Sequence, residues 1–478
     1  MKRRDMLKML GGGTAASLAV VTGREKAAAA WAAAPSPLQT AQTVIRRGLP
    51  PLKITDVKVI LTEMGGNHLT NVKVLTSEPG LYGIGCGTHA ERPVIVAETI
   101  DKFLKPLAVG RNVDEIEQIW QTAWIAPYWR ASVDANNAMS AIDGALWDIM
   151  GKRAGMPVYD LMGGKVREGV RMFANAGGRS LQDLEDNVRR LQQEGYQHVR
   201  INAVGGGGGG EGGAEGGRGA GAGRGGGRGA GGRGAAATGP GGLPISQGGG
   251  GFGTRSTDAV YINGLVSALD HLRKTVGWDV ELCHDVHERP HPAGSLTLAK
   301  AVEQYRPFFM EDLFAPEDSA WHQHVREQCS TAIAMGELFV NQNEWLPLVA
   351  NRWIDFMRMH ISAAGGLNLA RKVAHCCEFF GVRTAWHGPA NVSPVGHTVN
   401  LHLDLSLINF GIGEGGDFSD ELKELFPGAP EIRKGVRYSN DRPGLGVDID
   451  EKVAAKYPIK TPGSNRGARD SEGAPRRP

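Results

Sequence analysis

Asp285, Glu311 and Glu337 are three carboxylates separated by 26 residues in each interval. Each closes or shortly follows a brief apolar run, at residues 280–283, 307–310 and 332–335. The polar stretches between the runs are long enough for one helix each. That is the rhythm of consecutive β/α units in a parallel barrel, so three neighbouring strands would deliver one carboxylate each to the same mouth. An all-oxygen site of this kind favours Mg²⁺. His287 lies two residues after Asp285, and alternation along a strand puts i and i+2 on one face. It is therefore expected close to the ion.

Further candidates follow from the same alternation. Residues 197–202 read as a second barrel strand whose inward face carries Arg200 and Asn202. A cation there either pairs with a barrel carboxylate or lowers the pKa of a neighbouring base. Residues 354–361 read as a sixth strand with Arg358 and His360 on one face. A seventh, at 382–386, runs into His387, a candidate acid, base or substrate contact. Glu414 follows an eighth strand expected at 405–410, and His397 and His402 on the preceding helix read as packing or surface residues.

These strands must be carried by an α/β fold, a modified TIM barrel at residues 166–400 with its last strand and a C-terminal segment at 401–460. Ahead of it, residues 53–165 read as an α+β domain. Strands are expected at 54–63, 68–77 and 80–87, the last two separated by the turn signal Glu78-Pro79-Gly80. Helices are expected at 93–104, 114–124 and 132–154, the last with Ala138, Ile142, Ala145, Leu146 and Ile149 on one face. Inside the barrel, residues 170–174 read as the first strand and 181–193 as an amphipathic helix.

The chain has 478 residues, 69 of them glycine, and a formal net charge of +2. That length supports two domains. The balance of charge gives no global case for nucleic acid or a membrane surface. Much of the glycine lies in residues 205–253, a Gly/Ala/Arg tract that has too little apolar surface to offset its ordering entropy and reads as a disordered insertion. Its arginines resemble RGG repeats, without interleaved aromatics, which leaves weak nucleic-acid binding as a minor alternative. Residues 461–478 read as a disordered tail. The five cysteines have no framework spacing and read as buried thiols. At the N-terminus, Arg3-Arg4 followed by Met6, Leu7, Lys8 and a Gly/Ala-rich apolar stretch resembles a twin-arginine export signal over residues 1–34, with a linker at 35–52. The expectation is an exported, periplasmic protein whose mature chain spans no membrane.

HDVHERP (284–290), FFMEDLFAPED (308–318) and AMGELF (334–339) resemble the metal-binding strands of the enolase superfamily, in its mandelate racemase/muconate lactonizing enzyme group. The nearest branch is the mannonate dehydratases among the acid-sugar dehydratases. ALWDIMGKRAGMPVYDLMGG (145–164) is similar to the same group. The resemblance implies a (β/α)7β barrel covered by the α+β domain as a cap, one Mg²⁺ held by Asp285, Glu311 and Glu337, and a homo-oligomer. It implies a sugar-acid substrate such as mannonate or gluconate, with Glu414, Arg358, Asn175 and Asn202 facing it. Water would be lost through an enediolate to give a 2-keto-3-deoxy acid, with His287 as acid and either Arg200 with a partner or His387 as base. The chain departs from the family in three places. The tract at 205–253 has no Tyr where the family places the partner of its Arg, Asn175 stands where an active-site His is common, and Ala90 where an Asn is. Racemisation, epimerisation or cycloisomerisation on the same metal are alternatives, as is a weakly catalytic metal-binding member.

Overall fold

Two glycines make the first hairpin. Gly65 and Gly66 take φ of 61° and 86°, the left-handed pair that a two-residue turn between twisted strands requires. They join β1 (Ile54–Met64) to β2 (Asn67–Thr76), with Met64 opposite Asn67. β3 (Tyr82–Cys86) completes an antiparallel three-stranded meander. Helix α1 (Val133–Ala154) lies across β3. A Cβ on Gly85 would sit 1.9 Å from Ala141 O, so only glycine permits this approach. The computed structural model describes residues 50–89, 91–202 and 257–460, with the backbone of 468–469 and 475–476. The architecture below belongs to one unit, Lys53–Pro478.

Seven parallel strands follow in sequence order around one sheet: β4 (Phe173–Ala176), β5 (His198–Ile201), β6 (Glu281–Asp285), β7 (Phe309–Glu311), β8 (Ile333–Met335), β9 (Phe356–Met357) and β10 (Arg383–Thr384). Bridges Thr384↔Phe410 and Met172↔Gly413, both parallel, close the sheet through an eighth stretch. The result is a (β/α)7β barrel behind an α+β cap. Phe173, Cys283, Phe309, Ala334, Phe356, Ala385 and Ile412 fill its interior in one apolar cluster.

Three expectations need correction. Val170–Arg171 is not barrel strand: it pairs with Val436–Tyr438 outside the barrel, and β4 begins at Phe173. The eighth strand is not at 405–410, because helix Pro394–Ser406 runs through Leu405, and the closing contacts come at Phe410 and Gly413. Apolar periodicity alone does not distinguish a buried helix end from a buried strand. The cysteines form no disulfide, yet Cys329 and Cys376 are only half-buried. The segment after the barrel touches the cap again, with Tyr82 OH donating to Asp448 (2.5 Å) and Lys73 paired with Glu451 (2.9 Å).

The expected signal at 1–34, most of the linker, the tract at 205–253 and Ala90 lie outside the described residues. In the tail, Ala468–Arg469 pairs antiparallel with Pro475–Arg476. No helix among the described residues is long and apolar enough to cross a membrane.

Candidate active site

The site is the layer directly above the barrel's apolar cluster. Adding two to each cluster residue keeps the same inward face. Phe173 leads to Asn175, Cys283 to Asp285, Phe309 to Glu311, Phe356 to Arg358, Ala385 to His387 and Ile412 to Glu414. β5 adds Arg200, in register with Asn175. Only Ala334 breaks the pattern, since its i+2 is Gly336 at φ 143°, and the carboxylate arrives one residue later as Glu337. The sheet register sets Asp285 beside Glu311.

The layer has two tiers. In the lower one Arg358 is wholly buried. Its Nε donates to Glu311 Oε1 (2.7 Å), its Nη2 to Glu414 Oε2 (2.7 Å) and its Nη1 to Ala385 O (2.9 Å). Glu414 also accepts from Gly388 N (2.8 Å) and Arg200 Nη1 (3.1 Å). Arg358 and Glu414, which the sequence placed facing a substrate, form an ion-paired floor to the site, which alternation could not separate from its open surface. Arg200 donates to Asn175 Oδ1 (2.7 Å) and to Asp285 Oδ2 (3.3 Å). Asn202 lies apart from these contacts, next to Gly177, with its backbone N–H donating to Ala176 O (3.2 Å).

The upper tier is the accessible one, with Asp285, His287, Glu337 and His387 each 14–15 % exposed. His287 reaches Asp285 by a different route from the one expected. β6 ends at Asp285, and His287 and Glu288 take left-handed φ of 53° and 54°. The turn folds the imidazole back, Nε2 at 3.1 Å from Asp285 Oδ2 and 3.6 Å from Glu337 Oε1. His387 Nε2 is 3.1 Å from Glu337 Oε2, an ion-pair contact outside hydrogen-bond geometry, and its Nδ1 is 2.8 Å from His360 Nδ1.

The electrostatics follow from this packing. Burial pushes the Glu311 carboxyl up to about 7 against the pull of Arg358. Burial works the same way on Glu337, but His387 and His287 outweigh it and hold the carboxyl below its usual range. Burial would lower His387, and Glu337 reverses it, so the imidazole is raised. His360, desolvated and beside His387, is pushed down to about 3. For Glu414, Arg358 and Arg200 overcome burial and lower the carboxyl. Arg200 is raised by Glu414, Asp285 and Glu311 in spite of its burial.

A divalent cation fits this donor set. Asp285 Oδ1, Glu311 Oε2 and Asp312 Oδ1 are buried with no hydrogen-bond partner, a costly state for carboxylate oxygens. One oxygen from each of these three residues lies within 4.8 Å of the others. Hard, unpaired oxygens are what Mg²⁺ takes. Glu337 stands outside that group, its carboxylate turned to the two imidazoles. Asp312 was not singled out from the sequence.

Comparison with known proteins places the chain. Residues 183–453 match the family described as enolase C-terminal domain-like, and residues 41–163 the mandelate racemase/muconate lactonizing enzyme N-terminal domain. A D-galactonate dehydratase family member of Salmonella enteritidis is 47 % identical over 86 % of this chain and 94 % of its own. One of Pantoea ananatis is 45 % identical over 86 % of this chain and 95 % of its own. The crystal structure of an enolase from Pantoea ananatis with bound D-gluconate and Mg has a TM-score of 0.78 and 42 % identity, covering 89 % of this chain and all of that one.

Proposed function

The chain belongs to the enolase superfamily and, within it, to the D-galactonate dehydratase family, and we propose that it removes water from an aldonic acid to give a 2-keto-3-deoxy acid. Mg²⁺ is the cofactor. The Pantoea structure holds it, and the unpaired oxygens of the barrel mouth fit it. Asp285, Glu311 and Glu337 would hold the ion, which supplies the positive charge that stabilises the enediolate form of the substrate carboxylate.

What supports the reading most is that imidazoles border the accessible carboxylates, His287 beside Asp285 at 3.1 Å and His387 beside Glu337 at 3.1 Å. Dehydration needs a base for the proton on C2 and an acid for the hydroxyl leaving C3. His387 is the base. Of the two candidates, Arg200 has its guanidinium committed to Asn175, Asp285 and Glu414, and the neighbouring carboxylates hold it protonated. His287 is the acid: its imidazolium donates its own proton to the departing C3 oxygen, which leaves as water, while the C2 proton stays on His387. Arg358 and Glu414 fix the floor, and Arg200 orients Asp285.

The substrate class is argued from relatives bearing galactonate in their name and gluconate in their site, with mannonate from motif resemblance. The test is incubation of the protein with Mg²⁺ and D-galactonate, D-gluconate or D-mannonate, reading 2-keto-3-deoxy acid as its semicarbazone. Product in at least one, absent in Glu311→Gln, is expected. None in any would count against dehydration. The proposal extends to export by residues 1–34 and to self-association. Periplasmic recovery lost in Arg3→Lys/Arg4→Lys, and a mass in solution above 50.9 kDa, are the expected results; cytoplasmic retention of the unaltered chain, or a monomer mass, would refute them.

A further inference from the structure

Asp312 follows Glu311 directly, so regular alternation would turn it away from the barrel interior. The strand ends at Glu311, however, and Asp312 takes φ 46°. One of its carboxylate oxygens comes within 4.8 Å of oxygens from both Asp285 and Glu311. The side chain is buried at 1 % exposure, and Oδ1 accepts no hydrogen bond.

What separates Asp312 from the other carboxylates here is its lack of a basic partner. Glu311 and Glu414 have Arg358, Asp285 has Arg200 and His287, and Glu337 has His287 and His387. Among the described residues no ion pair reaches Asp312. The charged groups that act on it most are Glu337, Glu311, Asp285 and Glu288, all acidic. A buried carboxylate among carboxylates is strongly disfavoured unless a cation joins it.

We propose that Asp312 is a fourth carboxylate of the Mg²⁺ site, neutralised by the ion and contributing to its retention directly or through one of its waters. This rests on the Mg²⁺ reading above. Asp312 acts on the ion and not on the sugar acid, so its effect is read in metal binding.

The test is calorimetric titration of Mg²⁺ into the EDTA-stripped full chain. Asp312→Asn should weaken Mg²⁺ binding about 10- to 100-fold, the range for residues that tune a metal site. Asp285→Asn should abolish binding. An Asp312→Asn affinity within about twofold of the unaltered chain overturns the proposal and leaves the Mg²⁺ reading standing. An unaltered chain that takes up no Mg²⁺ overturns both. If Asp312→Asn does not fold, crystals of the unaltered chain soaked with Mn²⁺ decide. The anomalous peak should lie in contact with the Asp312 carboxylate or with a water bound to it, and an ion whose ligands and waters exclude Asp312 refutes the assignment.

Discussion

Replacing Asp143 by Asn should make the protein's stability less dependent on pH. Asp143 sits in α1 of the cap, buried at 3 % exposure, where it closes an apolar pocket lined by Leu107, Ile116, Met139 and Leu146. Its Oδ2 accepts the barrel's Asn368 N–H (2.9 Å), while Oδ1 has no partner. Desolvation pushes the carboxyl from 3.8 up to about 7, against the hydrogen bonds from Asn368 and Leu367. The folded chain therefore holds this proton up to about pH 7 and the unfolded chain only to about 4, so stability falls as pH rises through that window and levels off above it. At about 1.4 kcal/mol per pH unit the loss is about 4 kcal/mol at pH 8 and about 1.5 kcal/mol at pH 5. Asn keeps the acceptor and removes the charge. Any cost of its unpaired amide, about 1–3 kcal/mol, is the same at both pH values and cancels. Urea unfolding followed by tryptophan fluorescence should show the variant gaining about 2.5 kcal/mol relative to the unaltered chain between pH 5 and pH 8. A difference that does not change with pH would refute the raised carboxyl and the desolvation argument behind it.

Other outcomes follow from the site itself. His387→Asn should lower turnover by about 10²- to 10⁴-fold, the usual worth of a general base, while Mg²⁺ affinity by calorimetry stays within a few-fold; loss of both together would make the residue structural. Glu414→Gln strips the shared partner from two buried guanidiniums, so unfolding experiments should show about 3–5 kcal/mol lost, and a loss under about 1 kcal/mol would mean that Arg358 relies on Glu311 alone. Mg²⁺ at about 100 times its Kd should stabilise the EDTA-stripped protein by about 2.7 kcal/mol, seen as a rise in melting temperature that Asp285→Asn removes. Exchanging residues 205–253 for a short Gly/Ser linker should leave sugar-acid turnover unchanged if the tract is the surface insertion its composition suggests; lost turnover with the fold intact would assign it part of the site.

Much of this site was legible because a barrel strand writes its inward face at every second residue. Cys283 and Asp285, Phe309 and Glu311, Ala385 and His387 are core and chemistry two positions apart. Pairing across the barrel was not legible. Arg358 and Glu414 are 56 residues apart in the chain and 2.7 Å apart in space, and nothing local marks them as each other's partner. Turns were illegible for a related reason. Asp312 and His287 owe their positions to left-handed φ values, which the alternation rule does not contain. The helix at Leu181–Gln193 was read correctly to the residue from its amphipathic period, and the structure adds a Ser180 cap whose hydroxyl accepts from Asp183 N. Helix Pro394–Ser406 is buried over most of its length and carries Leu401, Leu403 and Leu405 at every second position, so its end was mistaken for a strand.

The central claim is that a proton leaves C2 and a hydroxyl leaves C3 of a sugar acid. Running the reaction in D₂O with Mg²⁺ across a set of aldonic acids, and reading substrate and product by NMR, tests it most directly. The account predicts a 2-keto-3-deoxy acid carrying one deuterium at C3, formed by the unaltered chain and not by His387→Asn. Recovered substrate inverted and deuterated at C2, without a keto acid, would move the protein to the epimerases. Neither keto acid nor exchange at C2 in any acid, with Mg²⁺ bound, would contradict the account outright.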